Sequence, residues 1–199
     1  MVFGQVVHEG DWDPCPSAVA NLLKFAAHNS TVSVQFKKAP VDLRKADALT
    51  HPLLYMTGHD DFTLSDAEAA GLRNYLKAGG LLLADACCGR ISLDMAFRRE
   101  IGKVFPGKSL EKLSPDHPLY KCHYEVREVD YTPRVREDYG PFTSPELEGI
   151  SVDGRLAVIY SKFDLGNGWE QFPHPYSYGL KYESALQIGT NALVYAATH

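Results

Sequence analysis

The chain has 199 residues, 45% of them hydrophobic, enough for one domain to bury a core without disulfide or metal staples. With 20 basic residues against 25 acidic, the net charge is −5, and no basic cluster offers the footprint a nucleic-acid backbone requires. Apolar runs such as residues 81–84 and 156–160 fall far short of the roughly 20 residues that cross a bilayer, so no membrane insertion is expected.

Residues 1–7 lack the basic start and long apolar stretch of a secretory leader, although a longer native chain would hide one; the expected placement is cytoplasmic. Cys15, Cys87, Cys88 and Cys122 form neither a disulfide framework nor a CxxC pair, and reduced thiols are expected. Adjacent cysteines seldom bridge each other, because the bond geometry then demands a strained backbone.

In chain order, residues 3–7 predict a short strand that ends at His8 and Glu9. Val19, Leu22, Leu23 and Ala26 recur at helical spacing behind Pro16 and Ser17. Residues 31–36 alternate, with Val32, Val34 and Phe36 on one face, and predict a second strand. Residues 53–56 are continuously apolar, as suits a strand buried on both faces, and end at Thr57, Gly58 and His59. Ser65 and Glu68 stand three apart as a capping box, and Gly79 with Gly80 closes the helix they start.

Residues 81–84 predict another buried strand, followed by the turn Asp85, Ala86, Cys87, Cys88, Gly89 and by a helix carrying Leu93, Phe97, Ile101 and Val104. Ser92 reads as that helix's cap. Prolines break up residues 105–148, which predict an irregular insertion whose one candidate strand is 124–131. Asp153 and Gly154 suit a tight primed turn, so residues 149–160 predict a hairpin. After a loop rich in glycine and aromatic residues, Ala185, Gly189, Ala192, Leu193 and Ala196 line a final helix. The alternation of strand and helix gives a single α/β domain over residues 1–199 with a mostly parallel central sheet.

In such sheets ligands bind outside the carboxyl ends of the strands. His8, Gly58, His59, Asp85, Cys87, Cys88, Gly89, Arg90, Ser161 and Asp164 all follow strand ends and predict one polar rim. Cys87 is the sharpest nucleophile candidate, with Arg90 as the cation favouring its thiolate and His59, His117 or His174 as base. Structural packing is the competing explanation, since buried cysteines behave as small hydrophobes.

A metal reading draws on His8, Asp11 or Asp13, His59 and Asp85, but no spacing among them is diagnostic, and neither metal nor cofactor is assigned. Asp94 with Arg98 and Arg99 predicts a solvated ion-pair face. Trp169, Phe172, Tyr176 and Tyr178 predict packing beneath a loop, with a stacking surface as the alternative. Gly166, Asn167 and Gly168 read as a turn without the strand-to-helix context of a phosphate cradle.

The segments at 53–59, 75–89 and 96–98, then His117-Pro118-Leu119, residues 147–150, 159–161 and 164–166, and Gly189 with Asn191, resemble a bacterial family described as domain of unknown function 4159. That resemblance covers most of the chain. It implies a three-layer flavodoxin-like sandwich related to class I glutamine amidotransferases. Those enzymes carry their cysteine in a G-x-C-x-G turn, which implies the nucleophile's place for Cys87, with Asp85 standing where the first glycine belongs. Their late His-x-Glu pair has no counterpart here, because Pro175 and Tyr176 follow His174.

The resulting expectation is a rim that binds a small polar ligand, centred on Asp85, Cys87 and His59. One alternative is a cysteine-dependent amide or ester hydrolase using Cys87, with the Cys88 and Gly89 amides as oxyanion site. The other is a non-catalytic interaction domain of a larger envelope-associated protein.

Overall fold

A computed structural model describes residues 2–172 and 174–199. Among these, seven strands form one sheet: β1 (Phe3–Val6), β2 (Lys38–Val41), β3 (Leu53–Met56), β4 (Leu81–Asp85), β5 (Glu111–Lys112), β6 (Leu147–Val152) and β7 (Arg155–Ser161). Their order is β2-β1-β3-β4-β7-β6-β5. Strands β2, β1, β3, β4 and β7 run parallel, whereas β6 is antiparallel to both β7 and β5. This is a mixed α/β sandwich, consistent in general terms with a flavodoxin-like topology, in which the strand order reverses between β1 and β3.

The helices are α1 (Ala18–Asn29), α2 (Asp66–Lys77), α3 (Ile91–Val104), α4 (Pro133–Tyr139), α5 (Gly166–Glu170) and α6 (Tyr182–Thr198). Strands β3 and β4 are buried on both faces, as their unbroken apolar runs require. Leu53, Tyr55, Leu81 and Leu83 face α1, α5 and α6, while Leu54, Met56, Leu82 and Ala84 face α2 and α3. Ser65 and Glu68 complete the capping box of α2. The β6–β7 hairpin turns at Asp153 (φ 51°) and Gly154 (φ 79°), the paired positive angles of a primed turn.

Residues 31–36 form no strand. They are exposed or half-exposed, with Phe36 56% accessible, and the edge position beside β1 is taken by Lys38–Val41. An edge strand needs partners on one side alone, which is how Pro40 is accommodated there. Residues 124–131 likewise form no strand; Tyr131 makes one isolated bridge, to Leu180. The insertion instead packs Leu119, Tyr120, Val126, Val129 and Val135 into the core on the α6 side.

Ser92 does not cap α3. That helix starts at Ile91, and the Ser92 hydroxyl donates to the His59 carbonyl at 2.7 Å. Gly166, Asn167 and Gly168 lie in α5, close behind β7, so the strand-to-helix context absent from the sequence reading is present. Arg98 is more than a solvated partner of Asp94. It also pairs with both carboxylate oxygens of Glu148, and the Tyr160 hydroxyl donates to Asp94, which ties α3 to β6 and β7.

Candidate functional site

Loops from the carboxyl ends of β1, β3, β4 and β7 meet at one place. The bare Cα of Gly58 allows this approach, since a Cβ there would lie 2.4 Å from the Gly10 carbonyl oxygen. The Cys87 amide donates to the Gly58 carbonyl at 3.2 Å, joining the β4 loop to the β3 loop. Across the crevice between β1 and β3, His59 Nδ1 lies 2.7 Å from Asp11 Oδ2. Asp11 itself has left-handed backbone (φ 58°), a region that aspartate tolerates better than most residues.

After β4 the chain makes a 3-10 turn over Cys87–Gly89, in which Cys88 has φ 56° and ψ 11°. For a residue with a side chain this costs about 1–2 kcal/mol, so it must be held from outside. Both backbone groups of Cys88 are held: its amide donates to Asp164 Oδ2, and its carbonyl accepts from the Tyr178 amide at 3.2 Å. The turn sends the two thiols to different surroundings. Cys87 is 1% exposed, with its sulfur 3.7 Å from Cys15 Sγ, while Cys88 is half-buried and lines a cavity of about 720 Å3.

Donor atoms of His59, Cys87 and Cys88 all lie within 4.8 Å of one another. The Asn167 side-chain amide donates to Cys88 Sγ at 3.3 Å. The Cys87 thiol, then Asn167 and His59, draw the Cys88 thiol well below the ordinary thiol range against its partial burial. Hydrogen bonding with Cys15 and Cys88, together with burial, pushes Cys87 the opposite way. Cys88, half-buried and accepting from Asn167, is the thiol more open to a substrate, while Cys87 is sealed against Cys15.

Asp85 is wholly buried and accepts from Tyr55 Oη (2.7 Å) and from the amides of Leu165 (2.5 Å) and Gly166 (3.1 Å). Asp164, equally buried, accepts from the Asn167 amide (2.8 Å), the Asn167 side chain (2.6 Å) and Ser177 Oγ (3.3 Å) as well as from Cys88. Burial pushes both carboxyl groups up, and for Asp164 the neighbouring Asp85 charge adds to it. These two side chains close the turn that carries α5, and they occupy its first amides from within.

Of the remaining rim residues, Gly89 and Arg90 line the cavity, whereas His8, Gly58, Ser161 and Asp164 do not. His8 has both ring nitrogens engaged, Nε2 with the Thr57 carbonyl and Nδ1 with the Gly10 amide. Ser161 bonds locally to the backbone of Phe163. His8, Asp11 or Asp13, His59 and Asp85 do not assemble as a ligand set among the described residues. Nor do the Cys88 and Gly89 amides form an oxyanion site: Gly89 donates to the Ala86 carbonyl at 2.8 Å and Cys88 to Asp164.

Arg90 stands exposed at the cavity. Of the other histidines, His117 caps the turn at Pro118–Tyr120, and His174 lines the cavity with Tyr139, Tyr176 and Tyr178. Trp169 is buried, donating to the Ala185 carbonyl, while Phe172 and Tyr176 are exposed.

An α/β sandwich with a histidine–thiol cluster at the strand ends thus defines the class of protein. The chain belongs to the family described as domain of unknown function DUF4159, whose model matches residues 2–197. No curated protein matches the chain. Among the described residues no helix is long and apolar enough to cross a membrane.

Proposed function

We propose that this chain is a cysteine-dependent hydrolase of amide or ester bonds, with Cys88 as nucleophile, His59 as general base and Asp11 as the group orienting His59. The observation that carries this reading is the succession Asp11, His59, Cys88: a carboxylate on one ring nitrogen at 2.7 Å and, in the same donor cluster, a half-buried thiol that is the member of the three lining the cavity, with His59 behind it. The kinship with class I glutamine amidotransferases implied by the sequence supports it. In this reading the nucleophile sits one residue beyond Cys87, and Asp85 serves to hold the fold.

Attack of the Cys88 sulfur on a carbonyl carbon forms a thioester and expels an amine or alcohol, which takes its proton from His59. Water, deprotonated by His59, then releases the acid and restores the thiol. With the two turn amides engaged, Arg90 is the cationic donor at the cavity available to a substrate oxygen. It is the one arginine whose guanidinium has no partner among the described residues.

The same engaged amides favour a second reading, a pocket that binds a small polar ligand without turnover. Chelator-treated, reduced protein offered activated esters and primary amides separates the two. Turnover with an acyl adduct on Cys88, abolished in Cys88→Ala and lowered but still present in Cys87→Ala, which loses one donor to the Cys88 sulfur, is the expected result. Absence of both turnover and adduct favours the binding pocket.

A further inference from the structure

Three side chains of the cluster carry a chemistry that hydrolysis does not require. We infer that His59, Cys87 and Cys88 form a binding site for a zinc-class transition-metal ion. One imidazole and two sulfurs are a donor set suited to such ions and unsuited to magnesium or calcium. Their donor atoms lie within 4.8 Å of one another, and tetrahedral coordination at about 2.0–2.3 Å needs side-chain adjustments of about an ångström.

Asp11 is the second, independent observation. Ligating histidines characteristically present one ring nitrogen to a carboxylate; His59 Nδ1 faces Asp11 Oδ2 at 2.7 Å, which leaves Nε2 as the nitrogen to ligate the ion. Because Cys88 lines the open cavity, an exchangeable fourth ligand has a route to the metal. Binding consumes no oxidant: the two sulfurs coordinate as thiolates and any proton they carry is released to solvent.

The site stands without the hydrolase reading, but its consequence rests on that reading. A metal on Cys88 and His59 withdraws nucleophile and base together, so the loaded protein is silent and the metal-free protein active.

The test adds cobalt(II) to the reduced, chelator-treated full chain. One equivalent is expected to give thiolate-to-cobalt charge transfer in the near ultraviolet and intense tetrahedral bands in the visible. Cys88→Ser, at a half-buried position, should lose about half of the charge transfer, Asp11→Asn should weaken affinity about 10–100-fold, and Cys122→Ser should change neither. Absence of charge transfer in the wild type, or an unchanged spectrum in Cys88→Ser, overturns the site. Iodoacetamide labelling of Cys88 should be blocked by zinc and restored by chelation. Cobalt spectra as expected with no hydrolysis by metal-free protein would sink the hydrolase reading and leave the metal site standing.

Discussion

The carboxylate of Asp164 accepts the amide proton of Cys88, 76 positions earlier in the chain, and that bond holds the thiol-bearing residue in left-handed backbone. The same carboxylate gathers Asn167 and Ser177, so the chain after β7 and the turn after β4 are set by one buried group.

Asp164→Ala should therefore strip several buried donors of their acceptor at once. Buried donors left unpaired cost about 1–3 kcal/mol each, not additively, and a loss of about 3–5 kcal/mol is expected in urea unfolding. A loss below 1 kcal/mol would show that the turn holds itself.

Cys88→Gly removes the Cβ that makes φ 56° costly. The relief of about 1–2 kcal/mol is partly offset by the greater freedom of glycine in the unfolded chain, leaving stability unchanged or raised by up to about 1 kcal/mol. Hydrolysis should vanish in the same variant. Chemical denaturation alongside the ester assay checks both, and a clear destabilisation would contradict the strain assigned to this residue.

His8 predicts a pH dependence. Nε2 serves the Thr57 carbonyl and Nδ1 accepts the Gly10 amide, so folding selects the neutral ring, and burial lowers its pKa below the ordinary 6.5. The unfolded chain takes up this proton first as pH falls, so the contribution is present above about 6.5 and is lost on acidification toward the folded value. Raised carboxyl groups at Asp85 and Asp164 act in the opposite sense, their contribution being lost as pH rises. Comparing wild type with His8→Gln isolates the histidine: between pH 8 and 5 the wild type should lose more stability than the variant. Equal slopes would remove His8 from the account.

Gly71→Ala on α2 should destabilise although alanine is the better helix former. The new Cβ would lie 1.8 Å from the Leu43 carbonyl oxygen, a backbone atom that cannot swing aside. Displacing the helix or the loop should cost about 1–3 kcal/mol, outweighing the roughly 1 kcal/mol gained in propensity. A rise in thermal midpoint would show that the two segments separate freely.

The elements legible beforehand were those whose signals are local. Residues 53–56 and 81–84 announce themselves by unbroken apolar character, α2 by Ser65 and Glu68 with its closing glycines, and the hairpin by Asp153 and Gly154. The edge strand is not legible in the same way, because Lys38–Val41 carries little burial pattern of its own and is recruited by β1, while the alternating residues 31–36 find no strand to pair with. Ser92 has a cap's identity, yet its hydroxyl is taken by His59 from another loop.

Order along the chain was thus enough to determine an α/β sandwich whose strand ends bring His59, Cys87 and Cys88 to one rim, since apolar period, caps and turn residues act over a few positions. Which of the adjacent thiols opens on the cavity, and that Asp11 pairs with His59, was decided only by the folded chain. The direction of a side chain beyond a strand depends on a left-handed residue held from 76 positions away, and no local pattern encodes a contact of that separation.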